Sequence, residues 1–309
     1  MATHTVDWRD TPPASCRGGA LAIGNFDGVH RGHAALMMTL RREAQAVRGP
    51  AVALTFDPRP LEFLRPAQVQ PPLTTNAERA RVLQQLGADH VVFLHINRDL
   101  LSLSADAFFA QVVHDRFAAR AAVEGMNFGF GRNREGNVGR LAELCRAAGI
   151  ALVVAPPVRV DGVDVSSSRV RAALLTGDVA AATQLLGRLY RLQGTVGVGQ
   201  RRGRTLGFPT ANLHQTETLV PGDGVYAVLA NVDGTAWPGA ANIGPNPTFG
   251  EHARKVEVHL LGYEGDLYGK PLTVDFVQRL RDTRPFNGAE DLKAQLQQDV
   301  EQALRATGT

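Results

Sequence analysis

From about residue 19 to residue 156, short runs of continuous apolar residues alternate with longer amphipathic stretches. The runs ALAIG (20–24), AVALTF (51–56), HVVFLHI (90–96), RAAVEG (120–125) and IALVVAP (150–156) predict strands. Helical spacing occupies the gaps: Leu36, Leu40 and Val47 before a Gly-Pro stop, the stretch from Ser104 to Phe117, and residues 138–148 before Gly149. A strand that is apolar on both faces needs cover on both. The alternation therefore predicts an α/β domain over residues 1–186, built on a parallel sheet with helices on each side.

Past about residue 187 the pattern changes. Glycine and proline become frequent, and period-two alternation replaces the helical period. The segment VYAVLANVDGTAWPGAANIG (225–244) reads as two strands joined by Asp233-Gly234, a type I′ hairpin signal. KVEVHLL and LTVDFVQRL alternate in the same way, while Leu292, Leu296, Val300 and Leu304 return to helical spacing after Asn287. A small antiparallel β-barrel closed by a terminal helix is predicted for residues 187–309, with a short linker near Gly187 to Tyr190.

Bulk properties narrow the class. A chain of 309 residues has room for two cores, and 44% apolar with 20% charged residues is the composition of a globular protein. A formal charge of +3 demands no nucleic-acid partner, and local basic clusters such as GQRRGRT suit small phosphorylated ligands equally well. Cys16 and Cys145 form neither a CxxC pair nor a zinc spacing, which fits a reduced cytoplasmic setting. The start MATHTVDWRDTPP lacks the apolar core of a secretory signal, and no apolar run is long enough to predict a membrane span. Nothing in the pattern fixes an oligomeric state.

Candidate chemistry gathers at two places in the first domain. In LAIGNFDGVHRGHAAL (21–36), His30 and His33 stand three apart where a strand gives way to a helix, so their rings share one face. Gly24, Gly28 and Gly32 let the backbone bend there and let a bulky ligand approach. Two imidazoles beside unpaired helix-start amides suit a phosphoryl-transfer transition state, although a histidine pair can also simply cap a loop. No third ligand supports zinc at His30-x-x-His33, and no GxxxxGK[ST] P-loop occurs. At VSSSRVR (165–171), serine hydroxyls, cap amides and two guanidiniums could hold a polyphosphate, or the serines could serve only as helix caps.

These residues carry a resemblance. GNFDGVHRGH is similar to the HxGH signature of the nucleotidylyltransferase superfamily, and SSSRVR resembles its second phosphate-binding motif. TFDPRP (55–60) and GMNFGFGRNREG (125–136) narrow the match to the prokaryotic bifunctional riboflavin kinase/FMN adenylyltransferases, from about residue 17 to the C-terminal helix. The resemblance implies a Rossmann-like N-terminal domain that transfers AMP from ATP to FMN, giving FAD and pyrophosphate. It implies that His30 and His33 stabilise the α-phosphate transition state, beside Gly24, Asn25, Phe26 and Gly28. Ser167, Ser168, Arg169 and Arg171 would hold the departing phosphates. Ser168 stands where many relatives have threonine, so a hydroxyl is kept. Asn127 matches a polar position near the flavin, and Phe56, Pro58 and Phe128 would wall the isoalloxazine ring, if they are not simply core residues.

In the second domain, GRTLGFPTANL (203–213) places Thr210 and Asn212 two apart, on one side of an extended chain. A hydroxyl and an amide so placed can orient phosphate oxygens and Mg²⁺, or can stabilise a turn. In KVEVHLL, Val256, Val258 and Leu260 share one face while Lys255, Glu257 and His259 share the other; periodicity alone makes Glu257 a solvated outward residue. The resemblance overrides that, because GFPTAN, PGDGVYAV, NIGPNPTF, VEVHLL, GDLYGKPL and LRDTRPF follow the riboflavin kinase order throughout. It implies that Glu257 is general base on the ribityl 5′-hydroxyl, with Thr210 and Asn212 on Mg²⁺ and the phosphates of ATP. Gly197, Gly199, Gly203 and Arg204 would line the nucleotide, with Arg281 and Phe286 beside the flavin. The implied substrates are riboflavin, FMN and ATP. Two other functions are compatible with parts of the pattern: an adenylyltransferase with a different acceptor, and a flavin-sensing regulator.

Overall fold

Five of the six strands of one parallel sheet are the five apolar runs. The computed structural model describes residues 1–199, 207–246 and 251–308. Strands β1 (Ala2–Asp7), β2 (Ala20–Ile23), β3 (Ala51–Asp57), β4 (His90–His95), β5 (Ala121–Gly125) and β8 (Ala151–Ala155) lie in the order β1-β4-β3-β2-β5-β8, every neighbour parallel. Two short hairpins interrupt the series, β6 (Gly129–Phe130) with β7 (Gly136–Asn137) and β9 (Arg159–Val160) with β10 (Val163–Asp164).

Both faces of the sheet are buried, as continuous apolar runs require. Ala20, Ala22, Ala51, Ala53 and Val91 pack with Met37 and Leu40 of helix α1 (Arg31–Ala46) on one face. Leu21, Ile23, Val52, Leu54 and Val92 pack with Phe109, Val112 and Leu141 on the other. The stretch predicted helical from Ser104 to Phe117 begins as α-helix at Ala105–Phe108 and continues as π-helix over Phe109–Arg116. β1 escaped the sequence reading. It is an edge strand whose ATHTVD pattern offers one apolar branched residue, Val6, and its pairing to β4 is supplied by the backbone.

The second region forms a closed barrel. Strands β11 (Tyr190–Gly197), β12 (Ala211–His214), β13 (Gly224–Val232), β14 (Thr235–Asn246), β15 (Glu251–Leu260) and β16 (Pro271–Arg281) follow the order β11-β12-β15-β14-β13-β16. Asp233 and Gly234 both have positive φ (+49° and +85°), the requirement of a type I′ turn. The terminal helix, Ala289–Thr307, packs against β13, β14 and β16.

The chain divides into two compact units, Met1–Gln70 with Thr74–Val165, and Ser166–Thr309 with Pro71–Leu73. The second unit thus takes up its main run at Ser166, 21 residues before the start expected at 187, since it includes the helices Ser167–Leu175 and Val179–Leu186. The cause is local: Gly222 N–H donates to the Leu174 carbonyl at 2.7 Å, and the Val179–Leu186 helix packs on β11 and β16. No helix among the described residues is long and apolar enough to cross a membrane.

Candidate active sites

Chain progression reverses at β2. Its successor β3 lies on one side and β5 on the other, so the crevice outside their carboxyl ends is a topological switch point, where open α/β sheets take ligands. The loop from Gly24 to His30 leaves β2 at this point and enters α1. Phe26 and Val29 adopt φ of +46° and +41°, a region that non-glycine residues enter at a cost, and Gly28 has φ +80°. Cross-links hold the loop in this form. The Thr55 hydroxyl donates to the Asn25 carbonyl (3.3 Å), Gly28 N–H donates to Thr74 Oγ1 (3.3 Å), and Val29 N–H donates to the Phe26 carbonyl (3.1 Å).

His30 is the N-cap of α1. Its Nδ1 accepts the His33 N–H at 3.4 Å, which assigns the proton of a neutral ring to Nε2 and makes that nitrogen a donor. The two imidazoles stack, with centroids 3.7 Å apart and planes at 14°, and Phe26 meets His33 edge-on at 5.3 Å. Gly32 permits the arrangement, because a Cβ there would stand 3.0 Å from His30 Cε1. His30 is only 7% exposed, so its donor works beside helix-start amides and largely away from water.

Around this loop, Phe56 is the penultimate residue of β3 and Phe128 comes three residues after β5; both are half-buried against the core, near the carboxyl ends of the same parallel strands. Phe128 stacks on Phe130 at 5.4 Å. Pro58 follows the cis bond from Asp57, and Asn127 is exposed, its carbonyl accepting a bond from Arg134 (3.0 Å). Ser167, Ser168, Arg169 and Arg171 lie at the start of the Ser167–Leu175 helix, in the second compact unit. Ser166 caps that helix by accepting the Arg169 N–H (3.3 Å), and Arg171 donates to the Pro71 carbonyl (2.6 Å).

On the barrel, strand register assembles a second cluster. Gly197 pairs with Asn212, Asn212 with Glu257, and Glu257 with Asn242, one row across β11, β12, β15 and β14. Directly opposed residues share a face. Val256, Val258 and Leu260 fill the interior while Lys255, Glu257 and His259 face outward and are half-buried. Asn212 is 8% exposed, because Gly199 lies against it: a Cβ on Gly199 would fall 2.2 Å from Asn212 Nδ2. Thr210 precedes β12 by one residue. The loop GFPT is pinned by His259, whose Nδ1–H donates to the Pro209 carbonyl (2.7 Å) and whose ring meets Phe208 edge-on. Burial holds the His259 pKa below the ordinary imidazole range. Arg281 makes a two-pronged bond to Asp299 of the terminal helix (2.8 and 2.7 Å) and lies 5.6 Å from the Phe286 ring centroid. Gly203 and Arg204 fall outside the described residues.

A sequence model of the FAD synthetase family matches residues 13–169, and one of riboflavin kinase matches residues 186–307. A bifunctional riboflavin kinase/FMN adenylyltransferase of Pseudomonas fluorescens is 41% identical over 92% of this chain and 91% of its own length. This chain belongs to that family. Members from Escherichia coli K12 (35% identical, 91% of this chain and 90% of theirs) and Bacillus subtilis (34% identical, 92% and 91%) are similar to it over the same extent. A solved structure described as a macrolide-efflux protein from Streptococcus pneumoniae has the same fold, with a TM-score of 0.87, 30% identity and coverage of 97% and 98%.

Three side chains near the family motifs had not been singled out in the sequence. Asn242 lies in NIGPNPTF, but only the β14–β15 register reveals it opposite Glu257. Arg79 is 1% exposed and its Nη1 donates to Thr55 Oγ1 (3.4 Å), behind the Asn25 bond; burial pulls its pKa down against the pull of Asp27. Glu124 is a buried carboxyl on β5. Among the described residues, His4, Cys16 and His90 place ligand atoms within 4.8 Å of one another. His90 opens β4, at the opposite end of the strands from the Gly24–His30 loop, and its ring shares a 3.2 Å hydrogen bond with His4.

Proposed function

We propose that this chain makes flavin cofactors in two ATP-dependent steps, riboflavin to FMN in the barrel region and FMN to FAD in the parallel-sheet region. The observation carrying this is a pair of separate phosphate-suited sites, a capped helix start and a polar row on a barrel wall, in a chain matched along nine-tenths of its length by bifunctional relatives. A single-acceptor adenylyltransferase would leave the polar row without a purpose, and a regulator would need neither histidine pair nor glutamate. Both cysteines are buried and free, which suits the cytoplasm.

In the first step Glu257 would take the proton of the ribityl 5′-hydroxyl as that oxygen bonds to the γ-phosphorus of ATP and the bond to ADP breaks. Thr210 and Asn212 offer a hydroxyl and an amide, oxygen donors of the hardness Mg²⁺ takes, beside the tight Gly199 approach. Bound Mg²⁺ supplies neutralisation of phosphate charge. Gly197 and Gly199 would let the nucleotide approach the sheet, together with Gly203 and Arg204, and Arg281 would hold Phe286 beside the flavin.

In the second step a phosphate oxygen of FMN would attack the α-phosphorus of ATP, and pyrophosphate would leave. His30 Nε2–H, His33 and the α1 amides would meet the negative charge that grows on the α-phosphate. Gly24, Asn25, Phe26 and Gly28 would shape the phosphate loop. Ser167, Ser168, Arg169 and Arg171 would hold the leaving pyrophosphate, and Phe56, Pro58, Asn127 and Phe128 would receive the flavin.

Purified protein given riboflavin, ATP and Mg²⁺ should yield FMN and then FAD by chromatography; unchanged riboflavin overturns the proposal. Gly199→Ala should slow FMN formation by about tenfold or more, since small displacements of positioned groups are costly. FAD formation from added FMN should stay at the wild-type rate, and an unaffected kinase would remove Asn212 from the phosphate site.

A further inference from the structure

Ile23 is the last residue of β2, one step before the loop that carries His30. The β2–β5 ladder runs only through Ala20–Ala121 and Leu21–Ala122, whereas β5 stays paired with β8 as far as Gly125–Ala155. Beyond Leu21 the two central strands part, and the crevice of the switch point opens between them. The main chain of β5 no longer receives the Ile23 N–H. Glu124, on β5, receives it instead, through Oε1 at 2.7 Å.

A carboxyl is an expensive way to fill this place. Glu124 is 3% exposed, and its surroundings are Ile23, Phe108, Phe128, Phe130 and Leu141 around a cavity of about 10 Å³. Such a space holds one water at most, and valine would fit the apolar lining at lower cost. Burial pushes its pKa well above the ordinary carboxylate range, opposed by the Ile23 bond. Cys145, on the Val138–Ala147 helix, is the titratable neighbour; burial, with the Glu124 charge adding to it, pushes its thiol up to about 11.

We propose that Glu124 is a positioning residue for adenylyl transfer: by replacing the missing β5 acceptor of Ile23, it fixes where the Gly24–His30 loop leaves the sheet. That placement sets the His30 imidazole and the α1 amides relative to the α-phosphate. The proposal rests on the assignment of that loop to FAD formation.

The test compares Glu124→Val with Glu124→Gln in the full chain, using FAD formation from FMN and ATP, with the circular-dichroism spectrum and both melting transitions of each variant as the folding control, because Glu124 lies in the first compact unit and the barrel in the second. Glutamine keeps an oxygen for Ile23 and valine does not. Glu124→Val should lower kcat for FAD formation about tenfold while KM values change by less than about twofold, the signature of displaced transition-state groups. Glu124→Gln should remain within about twofold of wild type on both. If the valine variant fails the folding control, Glu124→Leu, closer in volume, answers the same question. Wild-type kcat in the apolar variant, or an equal loss in Glu124→Gln, overturns the proposal. His30→Ala with His33→Ala, run alongside, separates the two levels. Loss there with a normal Glu124→Val rate sinks the positioning role alone, and normal FAD formation in the histidine variant sinks the loop assignment beneath it.

Discussion

Glu257→Ala is expected to lower FMN formation by about 10²- to 10⁴-fold, the usual worth of a general base, while FAD formation from supplied FMN continues at the wild-type rate. The expectation follows from the pairing pattern. Glu257 stands in one row with Asn212 and Asn242, on the barrel face opposite the apolar interior. An alcohol attacking a phosphorus atom must shed its proton, and a neutral alanine takes none. Stability should change little, because the residue's buried neighbours in sequence, Val256 and Val258, hold β15 in place without it. Assays with riboflavin and with FMN as alternative substrates, plus a melting curve, make the check. Loss of both activities in a folded variant would show that the two sites are not independent.

His30→Ala with His33→Ala should give the opposite pattern, FAD formation reduced by about 10²- to 10³-fold or more and FMN formation intact. His30 contributes twice, as the cap of α1 and as an Nε2 donor beside its amides. Loss of a helix cap costs about 1 kcal/mol, so some fall in melting temperature accompanies the kinetic effect. His30→Asn separates the two contributions: asparagine restores a cap without an imidazole, so stability should recover and FAD formation should not. Recovery of both would reduce His30 to a capping residue.

The parallel sheet is legible in the sequence because burial on two faces writes itself as continuous apolar runs, which β2, β3, β4 and β5 show plainly. β1 is not, since an edge strand needs few apolar residues and takes its register from β4. The barrel is legible through Asp233-Gly234 and period-two alternation. The sites divide along the same line. The histidine pair is local, three residues apart on one helix start, so its stacking follows from the spacing. The Glu257 row joins residues 45 and 15 positions apart through strand pairing, and periodicity alone reads that glutamate as solvated. Glu124 is harder still, because its role comes from a ladder that stops two residues short. No sequence window records such an ending.

Closure of the barrel has a consequence for how the protein behaves when crowded. A sheet joined to itself has no ragged margin of unpaired amides and carbonyls onto which a foreign strand can add. The parallel sheet does have two such margins, β1 and β8. Along β1 the outermost residues, Thr3 and Thr5, are exposed and polar, a poor template for stacking. Strand-mediated aggregation on warming would therefore be expected to start from the β8 margin, where Val154 is exposed, and not from the six-stranded cylinder.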